Sequence, residues 1–275
     1  MAASDNLRGS PQRAADVWAS GDAYEPYVGR WSRLVAREFV AWLALPPGLH
    51  WLDVGCGTGA LSEAIVERCA PAALLGVDSS EGYVAHARAR LGNQRVRFEV
   101  GDARRLPVVD RGFDAVVSGL VLNFVPETER ALTEMCRAAR FPGTVALYVW
   151  DYGQGMELMR YFWDAAVELD PAAVELDEGR RFALCHPSRL RALFAAAGVR
   201  AVHIRAIDVP TVFRDFDDFW TPFLGGQGPA PGYCLSLSEE RRVALRDLVR
   251  SRLPVGADGT IRLIARAWAV RGMVP

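Results

Sequence analysis

Short apolar runs alternate with stretches of helical periodicity through the first half of the chain. From Trp31 to Leu43 the residues Trp31, Leu34, Val35, Phe39, Trp42 and Leu43 recur at helical spacing, which predicts an amphipathic helix stopped by Pro46-Pro47-Gly48. Five strands are then expected at His50–Val54, Ala73–Val77, Val96–Val100, Phe113–Val117 and Thr144–Trp150. Helices fall between them near 60–69, 81–91 and 127–139, and Phe141-Pro142-Gly143 breaks the third before the fifth strand begins. This alternation is the pattern of stacked βαβ units, so the fold class is α/β with a mostly parallel sheet and helices on both faces.

Beyond Trp150 the pattern loosens. Residues 151–185, with the aromatic-rich segment Met156 to Trp163, read as an inserted helical cap, and 214–253 as a second. Between them a helix over Pro187–Ala197, capped by Ser188 and closed by Gly198, leads into a strand over Val199–Val212. A last strand is expected over Ile261–Val270. The resulting organisation is a mobile lead over 1–15 and one domain over 16–275, carrying an N-terminal helical lid (16–45) and the two caps.

Composition narrows the function. A chain of 275 residues suits one large α/β domain, and 51% hydrophobic residues supply a sizeable core. The net charge is −1, with Arg and Asp/Glu interleaved, so no basic field exists to hold a nucleic acid. The start lacks an apolar signal core and no later run is long enough to span a bilayer, which leaves the cytoplasm and argues against a membrane partner. Five widely spaced cysteines without a Cys-x-x-Cys pair are expected to be free thiols, with no structural metal.

Candidate chemistry concentrates where the first strand runs into Gly55-Cys-Gly-Thr-Gly59 and a helix follows. Glycines at such a turn let backbone N–H groups approach a nucleotide-like ligand, although Gly55, Gly57 and Ala60 also fit the dinucleotide pattern. Asp53 puts a carboxylate at the mouth of this loop, where it would repel a pyrophosphate and welcome an ammonium. Asp78 ends the second strand at the spacing of an acid that accepts ribose hydroxyls, and Asp102 follows the third strand, where a carboxylate can accept from an adenine amine.

Taken together, Leu52-Asp-Val-Gly-Cys-Gly-Thr-Gly59, Gly76-Val-Asp-Ser-Ser80, Gly101-Asp-Ala103, Phe113-Asp-Ala-Val-Val-Ser118 and Pro142-Gly143 resemble the class I S-adenosylmethionine-dependent methyltransferases, in particular the small-molecule subgroup labelled type 11. The resemblance spans roughly residues 50 to 150. It implies a Rossmann-like seven-stranded sheet with one antiparallel strand, Ile261–Val270, inserted between the fifth and sixth. It also implies that Asp53 and Gly55 face the methionine amino group of S-adenosyl-L-methionine, Asp78 its ribose, Ser79 an adenine face, and Asp102 with Ala103 the adenine edge, with Cys56, Gly57 and Ser118 also among the cofactor-binding residues. The segment Tyr24 to Trp31 resembles the family's lid, which implies that Tyr24, Tyr27, Arg30 and Trp31 close over the cofactor.

The sequence departs from that pattern after the fourth strand, where Asn123 replaces a His common in relatives, so no general base is marked there. The Asn/Asp-Pro-Pro-Tyr/Phe motif that grips planar amino groups is absent as well, against nucleobase or glutamine methylation. Because a sulfonium methyl is already activated, in-line alignment and exclusion of water are the main demands on the enzyme. Asp151 and Tyr152 after the fifth strand, and His186 before the following helix, are the candidate catalytic or acceptor-contacting residues; each competes with a reading as a cap or surface turn. The expected function is methyl transfer to an O, N or C atom of a small molecule. A cofactor-binding protein without turnover and a nicotinamide-dependent oxidoreductase are the alternatives, and neither the acceptor nor the oligomeric state is encoded legibly.

Overall fold

The computed structural model describes residues 29–226 and 228–274. Tyr24, Tyr27, the lead and most of the expected lid therefore lie outside the described residues. Helix α1 (Arg30–Leu43) buries Trp31, Val35, Ala36, Phe39, Val40 and Leu43, a single stripe at helical spacing, and Ala44 ends it in the left-handed region. Five strands follow: β1 (His50–Val54), β2 (Ala73–Asp78), β3 (Val96–Val100), β4 (Phe113–Gly119) and β5 (Ala139–Trp150). They alternate with α2 (Ala60–Cys69), α3 (Glu81–Leu91) and α4 (Thr128–Ala138), except that no helix separates β3 from β4. β5 starts earlier than the sequence pattern suggests, because Ala139 pairs with Phe113 of β4 before a register shift, so Phe141 to Gly143 lie within a strand instead of ahead of it.

Seven strands form one sheet in the order β3-β2-β1-β4-β5-β7-β6, where β6 is Arg200–Phe213 and β7 is Ile261–Val274. All neighbours are parallel except at β7, which runs antiparallel to both β5 and β6. The expected antiparallel strand thus stands between the fifth and sixth. Trp51, Leu52 and Val54 on β1 and Val116 and Val117 on β4 are fully buried, as strands covered on both faces must be.

β6 and β7 are longer than the parallel strands and overhang them. β7 leaves β5 at Trp150, paired with Ala267, yet its pairing with β6 continues to Phe213 and Ile261. Both insertions attach to this projecting ribbon at the carboxyl edge of the sheet. The first contains α5 (Glu157–Leu169) and α6 (Glu178–Arg181), and α7 (Pro187–Ala196) returns the chain to β6. The second contains α8 (Phe216–Trp220), α9 (Pro229–Ser236) and α10 (Glu239–Arg252). The two insertions share an aromatic core in which Phe162 stacks on Phe223 at 4.5 Å and Trp163 meets Tyr233 at 5.5 Å. Those rings hold helix to helix, each pair adding on the order of 1 kcal/mol beyond its buried area.

Candidate functional site

A cavity of about 330 Å³ opens at the carboxyl ends of β1, β2 and β4, within the size range of small-molecule sites. Gly55, Cys56, Gly57, Asp78, Ser79, Asp102 and Ala103 line it, so seven residues singled out from the sequence are brought together. Gly55 has φ +73°, and a Cβ there would lie 2.5 Å from Val121. Only glycine lets the loop pass beneath the turn that follows β4.

The loop differs from a phosphate cradle in one respect. Its N–H groups point into the protein: those of Gly55 and Cys56 donate to the Val77 carbonyl at 2.7 and 3.1 Å, and that of Gly59 to the Cys56 carbonyl at 2.8 Å. The Gly57 N–H donates to Asp78 Oδ2 at 2.9 Å. The expected approach of free amides to a ligand is therefore replaced by a loop braced on β2, which offers few donors to a pyrophosphate.

Two carboxylates, Asp78 and Asp102, line the cavity, and a third, outside the lining, stands beneath the loop. Asp53 lies under it, fully buried, and its Oδ2 accepts from Ser62 at 2.7 Å while Oδ1 has no partner among the described residues. Burial pushes its pKa up to about 7, and the nearby Asp78 charge adds to the rise. Asp78 accepts from the Ser80 N–H at 2.8 Å as well as from Gly57. Burial raises its pKa, and those backbone bonds oppose the rise. Asp102 is arranged otherwise than expected, because Arg104 grips its carboxylate through Nε and Nη2, the latter at 2.7 Å, and holds its pKa below the usual range. The adenine edge that the sequence assigns to Asp102 is thus already occupied in part by a guanidinium. Cys56 lines the cavity with its thiol pKa raised well above normal by burial, which removes it as a nucleophile.

The remaining candidates lie off the cavity. Ser118 is buried at the end of β4, its hydroxyl without a partner among the described residues. Arg30 does not line the cavity: its Nη1 donates to Asp218 at 3.1 Å, and its guanidinium sits 4.4 Å from the Trp31 ring and 4.9 Å from that of Phe213. Trp31 packs edge-on against Phe213 at 5.5 Å, so Trp31 joins α1 to the end of β6 while Arg30 joins it to the second insertion. Asp151 is buried and organises the turn into α5, accepting from the Gln154 N–H at 3.1 Å. His186, exposed, caps α7 by accepting from the Ser188 N–H through Nδ1; the cap expected of Ser188 is made by its neighbour. Tyr152 is buried against Phe182 at 5.5 Å, and Phe182 meets Phe124 of the cavity wall at 4.9 Å.

Several lining residues escaped the sequence reading: Ser32 on α1, Tyr83 on α3, Leu120, Val121 and Phe124 after β4, and Tyr148 on β5. Leu120 adopts φ +61°, costly for a branched side chain, and its N–H donates to the Tyr148 carbonyl at 2.8 Å. No local signal announces such a residue, and Tyr148 looks like any core aromatic in a strand.

Residues 52–143 match the family model described as a methyltransferase domain. A demethylmenaquinone methyltransferase of Symbiobacterium thermophilum is 37% identical over 120 residues, which cover 42% of this chain and 47% of that protein. A malonyl-[acyl-carrier protein] O-methyltransferase of Geobacter sulfurreducens is 34% identical over 154 residues, 56% of each chain. The chain thus spans about half the length of the curated relatives it matches. Among solved structures, a Haemonchus contortus phosphoethanolamine N-methyltransferase bound to phosphomonomethylethanolamine and S-adenosylhomocysteine superposes with a TM-score of 0.57 at 17% identity, covering 92% of this chain and 56% of that one.

Proposed function

We propose that this chain, whose residues 52–143 match a methyltransferase domain, is a class I S-adenosylmethionine-dependent methyltransferase that moves the sulfonium methyl to an O, N or C atom of a small-molecule acceptor. The observation that carries the reading is the buried Asp53 Oδ1, which faces no donor among the described residues beneath a loop whose amides are committed inward. Such an atom suits an ammonium and opposes a pyrophosphate, which favours S-adenosylmethionine over a nicotinamide dinucleotide.

When bound, the cofactor supplies a methyl group on positively charged sulfur. Asp53 would take its ammonium, Asp78 its ribose hydroxyls, and Ser79 with Ala103 would flank the adenine. Leu120, Val121 and Phe124 form an apolar wall that keeps water from the reacting atoms, the chief requirement of an in-line displacement. Acceptor contacts fall to the first insertion, whose Phe182 meets Phe124 of the cavity wall, while the second insertion packs on the first. Asp151 and His186 serve that role indirectly by shaping turns, and Tyr152 by backing Phe182. The five cysteines are unpaired in the structure, which supports a reducing, cytoplasmic setting, and no described helix is long and apolar enough to cross a membrane.

Calorimetry with S-adenosylhomocysteine and with NAD tests the reading. Binding of the former alone is expected; binding of NAD alone would overturn it. Mass spectrometry of the purified protein in its native state gives a second check through any co-purified nucleoside.

A further inference from the structure

We propose that the outer edge of β6, from Arg200 to Asp208, together with the α7 surface beside it, binds an extended acidic segment of a partner protein, which adds to the end of the sheet as a further strand. The inference is independent of the cofactor cavity.

Charge points to the sign of the partner. The interleaving of charge along the chain fails over one stretch: between Gly179 and Ile207 stand Arg180, Arg181, Arg189, Arg191, Arg200 and Arg205, and no Asp or Glu, in a chain of net charge −1. Arg189, Arg191, Arg200 and Arg205 are exposed, as is His203, and none of these four arginines has a carboxylate partner among the described residues. The acids of the preceding insertion do not neutralise them, because Asp177 is held by Arg160 at 2.8 Å, Asp170 by Arg241 at 3.9 Å and Glu168 by Arg252. Asp208, which closes the stretch, is held by Arg266 at 2.6 Å. A cluster of one sign without internal compensation concentrates the opposite sign around it.

Backbone direction points to the mode. β6 ends the sheet order and pairs with β7 alone. Pro210 has no N–H yet sits inside the ladder, opposite Ile264, so its backbone belongs to the set that faces away from β7. Alternation puts Ile204, Ala206 and Asp208 in the same set. The Val202 carbonyl also faces outward, since Arg191 Nη1 of α7 donates to it at 3.4 Å. Groups for an added strand are therefore presented between Val202 and Asp208, and Pro210 stops the addition beyond them.

Basic side chains flank this edge on both faces. His203 and Arg205 pair with Arg271 and Ala269, and so project on the side of α1, where Arg271 donates to the Trp42 and Leu43 carbonyls. Arg191 comes from α7, which packs against β6 beside Val202. A strand laid along β6 thus meets guanidinium groups on either side of the sheet. Two copies of this chain joined edge to edge through β6 would instead set Arg200, His203 and Arg205 of one against those of the other. Among the described residues no large apolar side chain is exposed between 179 and 207, so the band offers no anchor to lipid and no stacking platform to bases.

The test is fluorescence anisotropy with a labelled peptide of about ten residues in which Glu and Val alternate. It should bind, several-fold more weakly as salt rises from about 0.05 to about 0.5 M, and the same peptide with Lys for Glu should not. Arg191→Glu and Arg205→Glu, both at the surface, should each weaken it about tenfold or more, with the thermal midpoint and S-adenosylhomocysteine affinity unchanged. Bound peptide should also slow hydrogen exchange of the Ile204, Ala206 and Asp208 amides, which charge attraction alone would not do. Equal affinity in the charge-reversed variants, binding without slowed exchange at those amides, or no binding at low salt would overturn the proposal. So would tighter binding of a DNA duplex of similar length, or self-association of the protein that slows exchange at the same amides.

Discussion

Arg30 on α1 donates to Asp218 in the second insertion at 3.1 Å across 188 positions of sequence, and its guanidinium lies between the rings of Trp31 and Phe213. The pair fastens the helix that precedes the first strand to a cap that follows the sixth. Both side chains are partly screened by solvent, so the pair contributes about 1 kcal/mol at most. Arg30→Ala and Asp218→Ala should each lower the urea midpoint slightly, and a double-mutant cycle should show them coupled. S-adenosylhomocysteine affinity should stay within about twofold of the unaltered protein. A large loss of binding in Arg30→Ala would return that side chain to the cofactor.

Asp78→Asn keeps the size of the side chain and loses the charge that collects the Gly57 and Ser80 amides. Its effect should appear in cofactor binding, with S-adenosylhomocysteine weakened by roughly 1.5 to 3 kcal/mol and little change in fold by circular dichroism. Equal affinity by calorimetry would mean that the acid at the end of β2 does not meet the ribose.

Asp53 predicts a pH dependence. Its pKa of about 7 in the ligand-free protein means that it is largely protonated at pH 6, whereas an ammonium calls for the carboxylate. Affinity for S-adenosylhomocysteine should therefore fall as pH drops below about 7, approaching roughly tenfold per pH unit, with proton release on binding. Asp53→Asn should bind weakly with a flat profile. A flat profile in the unaltered protein would remove Asp53 from the ammonium.

Glu178 should govern a separate pH effect, on stability. It is fully buried in the first insertion, where Trp163 Nε1–H donates to its Oε2, and burial raises its pKa to about 8. A carboxyl whose folded pKa lies above its unfolded one holds more protons when folded, so stability declines as pH rises from about 4.5 to about 8. Over that window the loss is roughly a few kcal/mol. Asp53 contributes in the same direction up to about 7. Glu178→Gln should flatten the decline, and urea midpoints at pH 5.5 and 8.5 would measure it; an identical slope in the variant would exonerate Glu178.

Phe182 joins the first insertion to the cavity wall through Phe124 and is backed by Tyr152. With an acceptor in hand, Phe182→Ala should cut kcat/KM at least tenfold while S-adenosylhomocysteine affinity stays unchanged. Parallel losses in binding and turnover would show that the insertion supports the cofactor site instead.

Much of the architecture was legible because it rests on short-range physics. The periodicity of Trp31, Val35, Phe39 and Leu43 and the apolar runs of β1 to β5 identify elements whose faces must be buried, and the order of those elements indicates a parallel sheet. Asp78 and the glycines of the cavity, with Asp53 buried beneath them, could be found because a turn at a strand end needs particular residue types at particular offsets. The place of β7 between β5 and β6 came from family resemblance, since the sequence pattern of a strand does not state its neighbours.

What the chain by itself determined is which segments form strands and helices and where the acidic residues of the loop stand. Only the tertiary structure decided which way side chains turn. Arg30 sits in a lid motif but finds Asp218, Asp102 is gripped by Arg104, and Asp151 closes a turn. Tyr148, an ordinary strand aromatic in sequence, reaches the cavity because Gly119 on the paired strand leaves room for its hydroxyl. The reason is that secondary structure is selected by neighbours a few residues away, whereas the partner of a charge or a hydroxyl is selected by whatever the sheet register brings within about 3 Å.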